Sequence, residues 1–465
     1  MEKKIETIFE PGKNTPIYGS YDVVVIGGGL TGVIAALTSS RLGAQTIIIE
    51  NKAFLGGVGT MGLPLQGFYD LNGNQIITGI PDEFLQRLKE KDGASKNFIE
   101  CEMHNPFLII DSERVKLTCQ EMLFESNVDI LLHTYAVDVN TSKDIINGIF
   151  IENKSGRQFI KGKIIIDCSG DGDIAARSGV PFSFGREIDN LSQASTLMFR
   201  LDNVNIAKLI SEVLTKPESY DLLPTLPRKQ FEYNKKHILV GLNSLIKKAT
   251  NDGLKGIPWD RVCYITCLDE NAVHINMVHV DNKNATDGLE LTEIELEGRA
   301  QIPIIIDFLK NYVPGFENAL LTHSAAWSGI RESRHIQGEA TLTERDINNC
   351  LLPPDTVVVG GYPIDIHFSK NNTDEDESLQ FDKIKPYGIP YGCFLPVSIN
   401  NLLIAGRSIS ATHKAMASAR VMGTCMGMGQ AVGCAASLAL NNDCSVKEVN
   451  ILELRSKIIS IGGYL

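Results

Sequence analysis

The stretch YDVVVIGGGLTGVIAALTSSRLGAQTIIIE, residues 21–50, leaves this chain the least freedom. Residues 23–26 form a continuous apolar, β-branched run, the pattern of a parallel strand buried on both faces. The run stops at glycine, and Gly27, Gly29 and Gly32 take the spacing GxGxxG. In a strand–turn–helix unit the first such glycine permits a tight turn, the second lets backbone approach a pyrophosphate, and the third allows helix and strand to pack closely. Residues 30–42 read as the helix whose N-terminal amides face that pyrophosphate, with small Ala36 on the face of Gly32 and Gly43 as the stop. Residues 46–49 are the next buried strand, ended by Glu50. Eighteen residues beyond Gly32, that carboxylate is placed to accept hydrogen bonds from a ribose 2′-hydroxyl and to repel a 2′-phosphate. Strand, turn, helix, strand and acid agree in order and spacing, so the chain is expected to bind a dinucleotide.

The chain is long enough, at 465 residues, for two or three domains with full cores. A net charge of −12 without any Lys/Arg-rich block argues against the electrostatic footprint of a nucleic-acid binder. The N-terminal region is charged and no apolar run is long enough to span a bilayer, so we expect a cytoplasmic protein with neither nucleic acid nor membrane as partner. Ten cysteines are scattered without a CxxC pair. Cys119, Cys425 and Cys434 lie in apolar settings, and Cys263 and Cys267 alternate with strand-like residues. That pattern fits buried reduced thiols rather than an iron–sulfur or dithiol centre, and no metal site is expected.

Residues 1–20 form an arm whose Pro11 and Pro16 favour extended backbone. Residues 54–64 carry four glycines, more than a connector needs, as if backbone must approach a ligand. Helices are expected over 81–91, closed by Gly93, and over 112–126, with Ser112 as cap and Val115, Cys119, Met122 and Leu123 on one face. A strand over 128–139 precedes a β-meander that returns at 164–167 to a buried strand, and DCSGDGD (167–173) supplies a second glycine signal. Both signals end strands at the carboxyl edge of one sheet, where α/β proteins bind ligands. From Pro181 the connections lengthen, with an alternating strand over 273–280 and a helix over 292–312. The acidic run 371–378 has no periodicity and reads as a solvated loop. Residues 401–407 form a further buried strand with a glycine turn, and 422–440 a helix opened by glycines and filled with small residues.

The expected fold class is therefore α/β: an FAD/NAD(P)-binding Rossmann-like domain with a β-meander crossover over 1–180 and 385–465, holding an inserted mixed α+β substrate domain over 181–384. A nicotinamide dehydrogenase needs only the first fingerprint and further βα units, which the meander and the returning strand–helix do not supply. On DVVVIGGGLTG, GGVGTMGLP, IIIDCSGDGDIA, GIRESRHIQGEATLT and the stretch over 389–436, the chain resembles the FAD-dependent oxidoreductases with the glutathione-reductase-type Rossmann fold. The resemblance implies FAD with its adenosine at Gly27, Gly29, Gly32, Glu50 and Asn51, and its isoalloxazine toward the second domain. It also implies that Gly57, Thr60, Met61, Val137, Ser169, Gly170, Asp171 and Gly406 approach the cofactor. Many such flavoproteins carry Asp where Arg407 stands, so Arg407 would pair with the pyrophosphate instead. Amides at the start of the 422–440 helix would stabilise negative charge at flavin N1/C2=O, which makes Gly427, Gly429 and Gln430 cofactor candidates.

FAD would bring the hydride chemistry, and the protein position and electrostatics. Arg331 and Arg334 are candidates for catalysis or anion binding, whereas Glu332 and His335 fit equally well a strand whose charges pair with one another. His413 is a general acid/base candidate that serves equally as a structural hydrogen-bonder. Arg420 could clamp a carboxylate or phosphate, and Tyr387 and Tyr391 line a pocket or simply pack. The expected function is hydride transfer between a small-molecule substrate, an organic metabolite, and flavin N5. The electron donor or acceptor is unidentified and homo-oligomerisation is left open. No second GxGxxG follows a strand, so a separate NAD(P) domain is not expected. Three alternatives stand beside this: a flavin subunit of a multi-protein electron-transfer complex, a thiazole-synthase-like enzyme that consumes a nucleotide, and a non-enzymatic flavin-binding module.

Overall fold

The computed structural model describes residues 7–101, 104–223, 236–367 and 384–465, and the acidic run 371–378 lies outside them. Six strands lead the first sheet: β1 (Ile17–Ile26), β2 (Thr46–Ile49), β3 (Asp129–Leu131), β4 (Tyr135–Ser142), β5 (Ile145–Asn153) and β6 (Gly156–Asp167). They lie in the order β3-β2-β1-β6-β5-β4, and a seventh strand, Leu402–Ile404, pairs with β6. Residues 23–26 and 46–49, continuous apolar runs, are buried throughout as a parallel core requires. The single strand expected over 128–139 is two, because His133 adopts a left-handed φ of +51° and turns the chain between β3 and β4.

Registers decide where the site falls. Ile26 lies beside Ile49 and Asp167, Ile49 beside Leu131, and Ile404 beside Asp167, all in parallel pairs. The chain therefore leaves the sheet at Gly27, Glu50, Cys168 and Ala405 along one edge. β6 is shared along its far side: its first half pairs antiparallel with β5, and its end carries Leu402–Ile404. At the junction Asn401 accepts the Ile146 N–H through Oδ1 at 2.9 Å and donates through Nδ2 to the Ile146 and Lys163 carbonyls at 2.8 and 2.9 Å. A side-chain amide thus satisfies backbone where two strands meet the same neighbour.

Helix Leu30–Arg41 crosses over the sheet and packs against helix Met422–Asn441, buried along nearly its whole length. Glycine makes this contact possible: a Cβ on Gly429 would lie 2.3 Å from the Thr31 carbonyl oxygen, and one on Gly433 2.8 Å from that of Ala35. Helices Ile80–Glu90 and Ser112–Glu125 follow the expected spans, although the cap of the second is Asp111, whose carboxylate accepts the Arg114 N–H at 2.8 Å.

The second sheet is wholly antiparallel, in the order Leu320–Ser324, Phe199–Asp202, Val273–Ile275, Val262–Thr266, Ile238–Gly241. Helix Gly288–Tyr312 buries Ile294, Gly298, Ile302, Ile305 and Phe308 at helical spacing, and starts earlier than expected because Asp287 caps the Leu289 and Glu290 N–H groups. Each sheet has its own apolar cluster. The second cluster draws mainly on residues 197–325; Ile336, Leu342, Val357 and Ile384, within the span read as the inserted unit, pack in the first. Among the described residues no single helix is long and apolar enough to cross a membrane; the bent pair His413–Ala419 and Met422–Asn441 passes on length and composition, and its apolar side chains are buried in the first cluster.

Candidate active site

Along the carboxyl edge the glycine turn is locked by contact. Gly27 has φ +98°, and a Cβ there would stand 2.3 Å from the Cys168 carbonyl oxygen; one on Gly32 would stand 1.9 Å from that of Gly27. Helix Leu30–Arg41 has Gly29 at its N-cap and no side-chain cap, so its first amides are left for a ligand. Glu50 ends β2 as expected, its Oε2 accepting the Gly28 N–H at 2.6 Å and its Oε1 the Lys52 N–H at 2.8 Å. Gly57 follows Gly56, which bridges to Gly29, so two glycine segments meet backbone to backbone.

A cavity of about 1410 Å³ opens from this edge. Gly27, Gly29, Glu50, Asn51, Gly57, Val137, Ser169, Gly170, Asp171, Gly406 and Arg407 all line it. Buried Asp167 anchors the second glycine turn: Oδ1 accepts the Ser169 N–H and hydroxyl at 3.0 and 2.6 Å, and Oδ2 the Ile174 and Ala175 N–H groups at 2.8 and 3.1 Å. Arg407 is engaged within the protein, donating through Nη2 to Asp171 Oδ1 at 2.9 Å and through Nη1 to the Ser333 hydroxyl at 2.7 Å.

Eight expected site residues lie elsewhere, Gly32 among them, packed against the Gly27 carbonyl. Thr60 turns its hydroxyl to the Gly57 carbonyl at 2.7 Å, and Met61 is buried in the second apolar cluster. The long helix begins at Met422, so Val421, Met422 and Cys425 meet the cavity while the glycines a turn or two later face inward. A Cβ on Gly427 would meet Ile77 and Val358, and Gly429 abuts Thr31. Gln430 caps a neighbouring helix, its Oε1 accepting the Ile80 N–H at 2.8 Å. Arg334 donates to Asp173 Oδ1 at 2.9 Å and stacks over Phe182, outside the cavity wall. His413 likewise does not line the cavity: its Nδ1 lies 2.7 Å from Glu332 Oε1, which also receives His335 Nε2 at 2.8 Å. Burial works against the Glu332 charge, but the two imidazoles outweigh it and hold the carboxyl at about 2. Tyr387 hydrogen-bonds with Ser418 and Tyr391 donates to the Val446 carbonyl, both in the core.

The cavity is also lined by Arg331 and Arg420 with Asp365, His367, Trp259 and His279. Arg331 donates through Nη1 to the Ala194 carbonyl at 2.5 Å, and Arg420 through Nη2 to Gln193 Oε1 at 3.3 Å and to the Asp365 carbonyl at 3.0 Å. Burial opposes ionisation of Asp365, yet His367, Arg420 and His104 hold its carboxyl well below the usual range. Burial and Arg331 together bring His367 down to about 4, so its ring is neutral near pH 7. Asp365, His367, Trp259 and His279 carry no local sequence signal. Three thiols reach the wall, and burial pushes Cys168 well up and Cys263 and Cys425 up to about 12, which leaves them protonated and poor nucleophiles.

Strand ends in parallel register, a glycine turn, an uncapped helix N-terminus and an acid at the end of the second strand define a dinucleotide-binding α/β protein. The chain belongs to the FAD dependent oxidoreductase family, whose profile matches residues 22–458, and its cofactor is FAD. It is similar to the ferredoxin–NADP reductase of Streptococcus agalactiae, 23% identical over 257 residues that span 52% of this chain and 72% of the reductase. A dihydrolipoyl dehydrogenase of Trypanosoma brucei brucei is 48% identical over 42 residues, 9% of either chain. Among solved structures, the flavin-dependent brominase Bmp2 shares the fold at a TM-score of 0.50 and 13% identity, over 94% of this chain and 83% of that one. The walls suit FAD: an open glycine cradle, free helix amides for a pyrophosphate and the Glu50 carboxylate for a ribose. The volume exceeds the roughly 300–1,000 Å³ of a usual small-molecule pocket.

Proposed function

We propose that the protein transfers a hydride between a small organic metabolite and N5 of FAD. The observation that carries this reading is continuity: one cavity is lined by the glycine turn and Glu50 and also by buried Arg331, half-buried Arg420 and residues of the second sheet. In this reading residues 1–180 and 385–465 hold FAD and the chain inserted between them supplies the substrate side. Gly27, Gly29 and the first amides of helix Leu30–Arg41 bind the pyrophosphate, and Glu50 takes the ribose hydroxyls. The start of helix Met422–Asn441 turns its positive end toward the ring position, where it stabilises negative charge. When bound, FAD supplies the hydride and electron chemistry. Ten free cysteines support a reducing, cytoplasmic setting.

The test is an anaerobic absorption spectrum of the FAD-loaded protein before and after hydroxy acids, amino acids, sugars and NAD(P)H. Bleaching by one class of metabolite is the expected result. Protein that takes up no FAD, or flavin that no metabolite reduces or reoxidises, contradicts the proposal. The streptococcal relative favours a second reading, in which electrons leave to an external carrier. Flavin that exchanges electrons with NADPH and a ferredoxin, but with no metabolite, puts that reading first.

A further inference from the structure

We infer that the metabolite is an organic acid, bound by its carboxylate between Arg331 and Arg420 and carrying an apolar body; the inference rests on the reading that a metabolite shares the cavity with FAD. Arg331 is only 7% exposed. Its polar contacts are the Ala194 carbonyl and, at 3.4 Å, Asn276 Oδ1. Arg420 holds the Gln193 amide oxygen and the Asp365 carbonyl, and its Nε is buried without a partner. Among the described residues neither guanidinium has a carboxylate oxygen within 4.0 Å. The arginines around them differ: Arg407 pairs with Asp171, Arg334 with Asp173 and Arg200 with Asp202. A buried guanidinium and a half-buried one beside it, neither with a contacting anion, are costly unless a ligand completes them. Burial and the neighbouring Arg420 accordingly draw Arg331 down to about 9.

The nearby charges select the kind of anion. Asp365 presents its carboxylate to His367 Nε2 at 3.6 Å and meets Arg420 only through its backbone oxygen. Asp365 and Asp281 both act on Arg331 at longer range. Two cations offset by two carboxylates leave little surplus for a phosphate, which carries about −1.5 to −2. A planar monoanion that takes paired N–H donors fits a guanidinium better. The lining also holds an apolar patch, Ile238, Val240, Ile257 and Ile265, with Trp259 stacked on the His279 ring at 5.7 Å, alongside polar Asn276, Lys255, Asp260 and Arg261. The apolar patch gains from burying hydrocarbon.

The test titrates the holoenzyme with sodium hexanoate and phenylacetate, their neutral amides, succinate and hexyl phosphate, reading the flavin absorption band and equilibrium dialysis. Hexanoate and phenylacetate should bind saturably and their amides at least tenfold more weakly. Arg331→Gln and Arg420→Gln should each raise the hexanoate Kd at least tenfold at unchanged FAD content, and Arg331→Lys less. Should Arg331→Gln fail to fold, Arg331→Lys and Arg420→Gln carry the test. Amides that bind like acids, tighter binding of hexyl phosphate or succinate, or unchanged Kd in the variants overturns the inference. A neutral metabolite that bleaches the flavin while acids fail to bind removes the carboxylate and spares hydride transfer. Acid binding to a flavin that no metabolite reduces or reoxidises does the reverse.

Discussion

Gly429→Ala separates packing from cofactor contact in the long C-terminal helix. Alanine in a helix interior is favoured over glycine by about 1 kcal/mol. Against that, the new Cβ would stand 2.3 Å from the Thr31 carbonyl oxygen and 3.2 Å from the Ala35 amide nitrogen. Both atoms are backbone of the facing helix and cannot rotate away, so the overpacking cost belongs near the upper end of the usual 1–3 kcal/mol. The net expectation is about 2 kcal/mol of lost stability from those two opposing effects. Gly427→Ala is the control, because its Cβ would meet only the Ile77 and Val358 methyl groups, at 3.1 and 3.2 Å. Those tips can yield, so the change should be neutral or stabilising by up to about 1 kcal/mol. Urea unfolding of the FAD-free protein reads the stability, and fluorescence titration reads FAD affinity. Gly429→Ala should weaken FAD as well, since Thr31 lies in the first turn of the helix that faces the pyrophosphate. Unchanged stability of the FAD-free Gly429→Ala protein, with an altered flavin spectrum in both variants, would refute the packing account and return these glycines to the cofactor.

Other outcomes follow from the same geometry. Glu50→Ala removes an acceptor from the Gly28 and Lys52 N–H groups and from the ribose, and at about 1.5–3 kcal/mol for bonds to a charged group should weaken FAD roughly 10- to 100-fold by fluorescence titration. His367 and His274 are both held at about 4, below the ordinary 6.5, chiefly by burial. The unfolded chain then binds more protons between those values, so the urea midpoint should fall as pH drops from about 6.5 to 4, and His274→Asn should flatten the slope. Glu332, held at about 2 against an ordinary 4.5, adds a further loss as pH falls through that lower window. Glu332→Gln should cost about 3 kcal/mol in urea unfolding, as loss of a buried charged partner does, and should raise the hexanoate Kd without changing FAD content.

Much of the cofactor end was legible because its determinants are local. Gly27, Gly29, Gly32 and Glu50 are fixed by spacing within one strand–turn–helix–strand unit, whose crossover helix makes β1 and β2 parallel, and the continuous apolar runs of β1, β2 and β6 mark them as strands buried on both faces. What failed was facing. Gly427, Gly429 and Gln430 lie on a helix that is apolar all round, so nothing in its pattern says which side meets the cavity; packing on Thr31 and Ile80 decides. Arg334 and His413 read as reactive groups until the fold supplies Asp173 and Glu332 as their partners. Asp365, His367 and Trp259 are far apart in sequence from Arg331 and Arg420, and only the second sheet and the 361–367 segment bring them to one wall.

The histidines near the site therefore serve as a mount. Glu332 Oε1 receives both His335 and His413, which frees Oε2 to accept the Gln193 N–H at 2.9 Å. The Gln193 side chain in turn receives Arg420 at 3.3 Å and the His367 N–H at 3.2 Å, and the next carbonyl, that of Ala194, receives Arg331 at 2.5 Å. One buried carboxylate thus holds the two-residue segment on which both cavity guanidiniums rest. An acid that only paired with a general base would not need its second oxygen on backbone. The same arrangement explains why Arg331 tolerates burial without a contacting carboxylate: its orientation is set from behind by Glu332 through Gln193 and Ala194, and its charge faces the cavity, where an anionic metabolite would complete it.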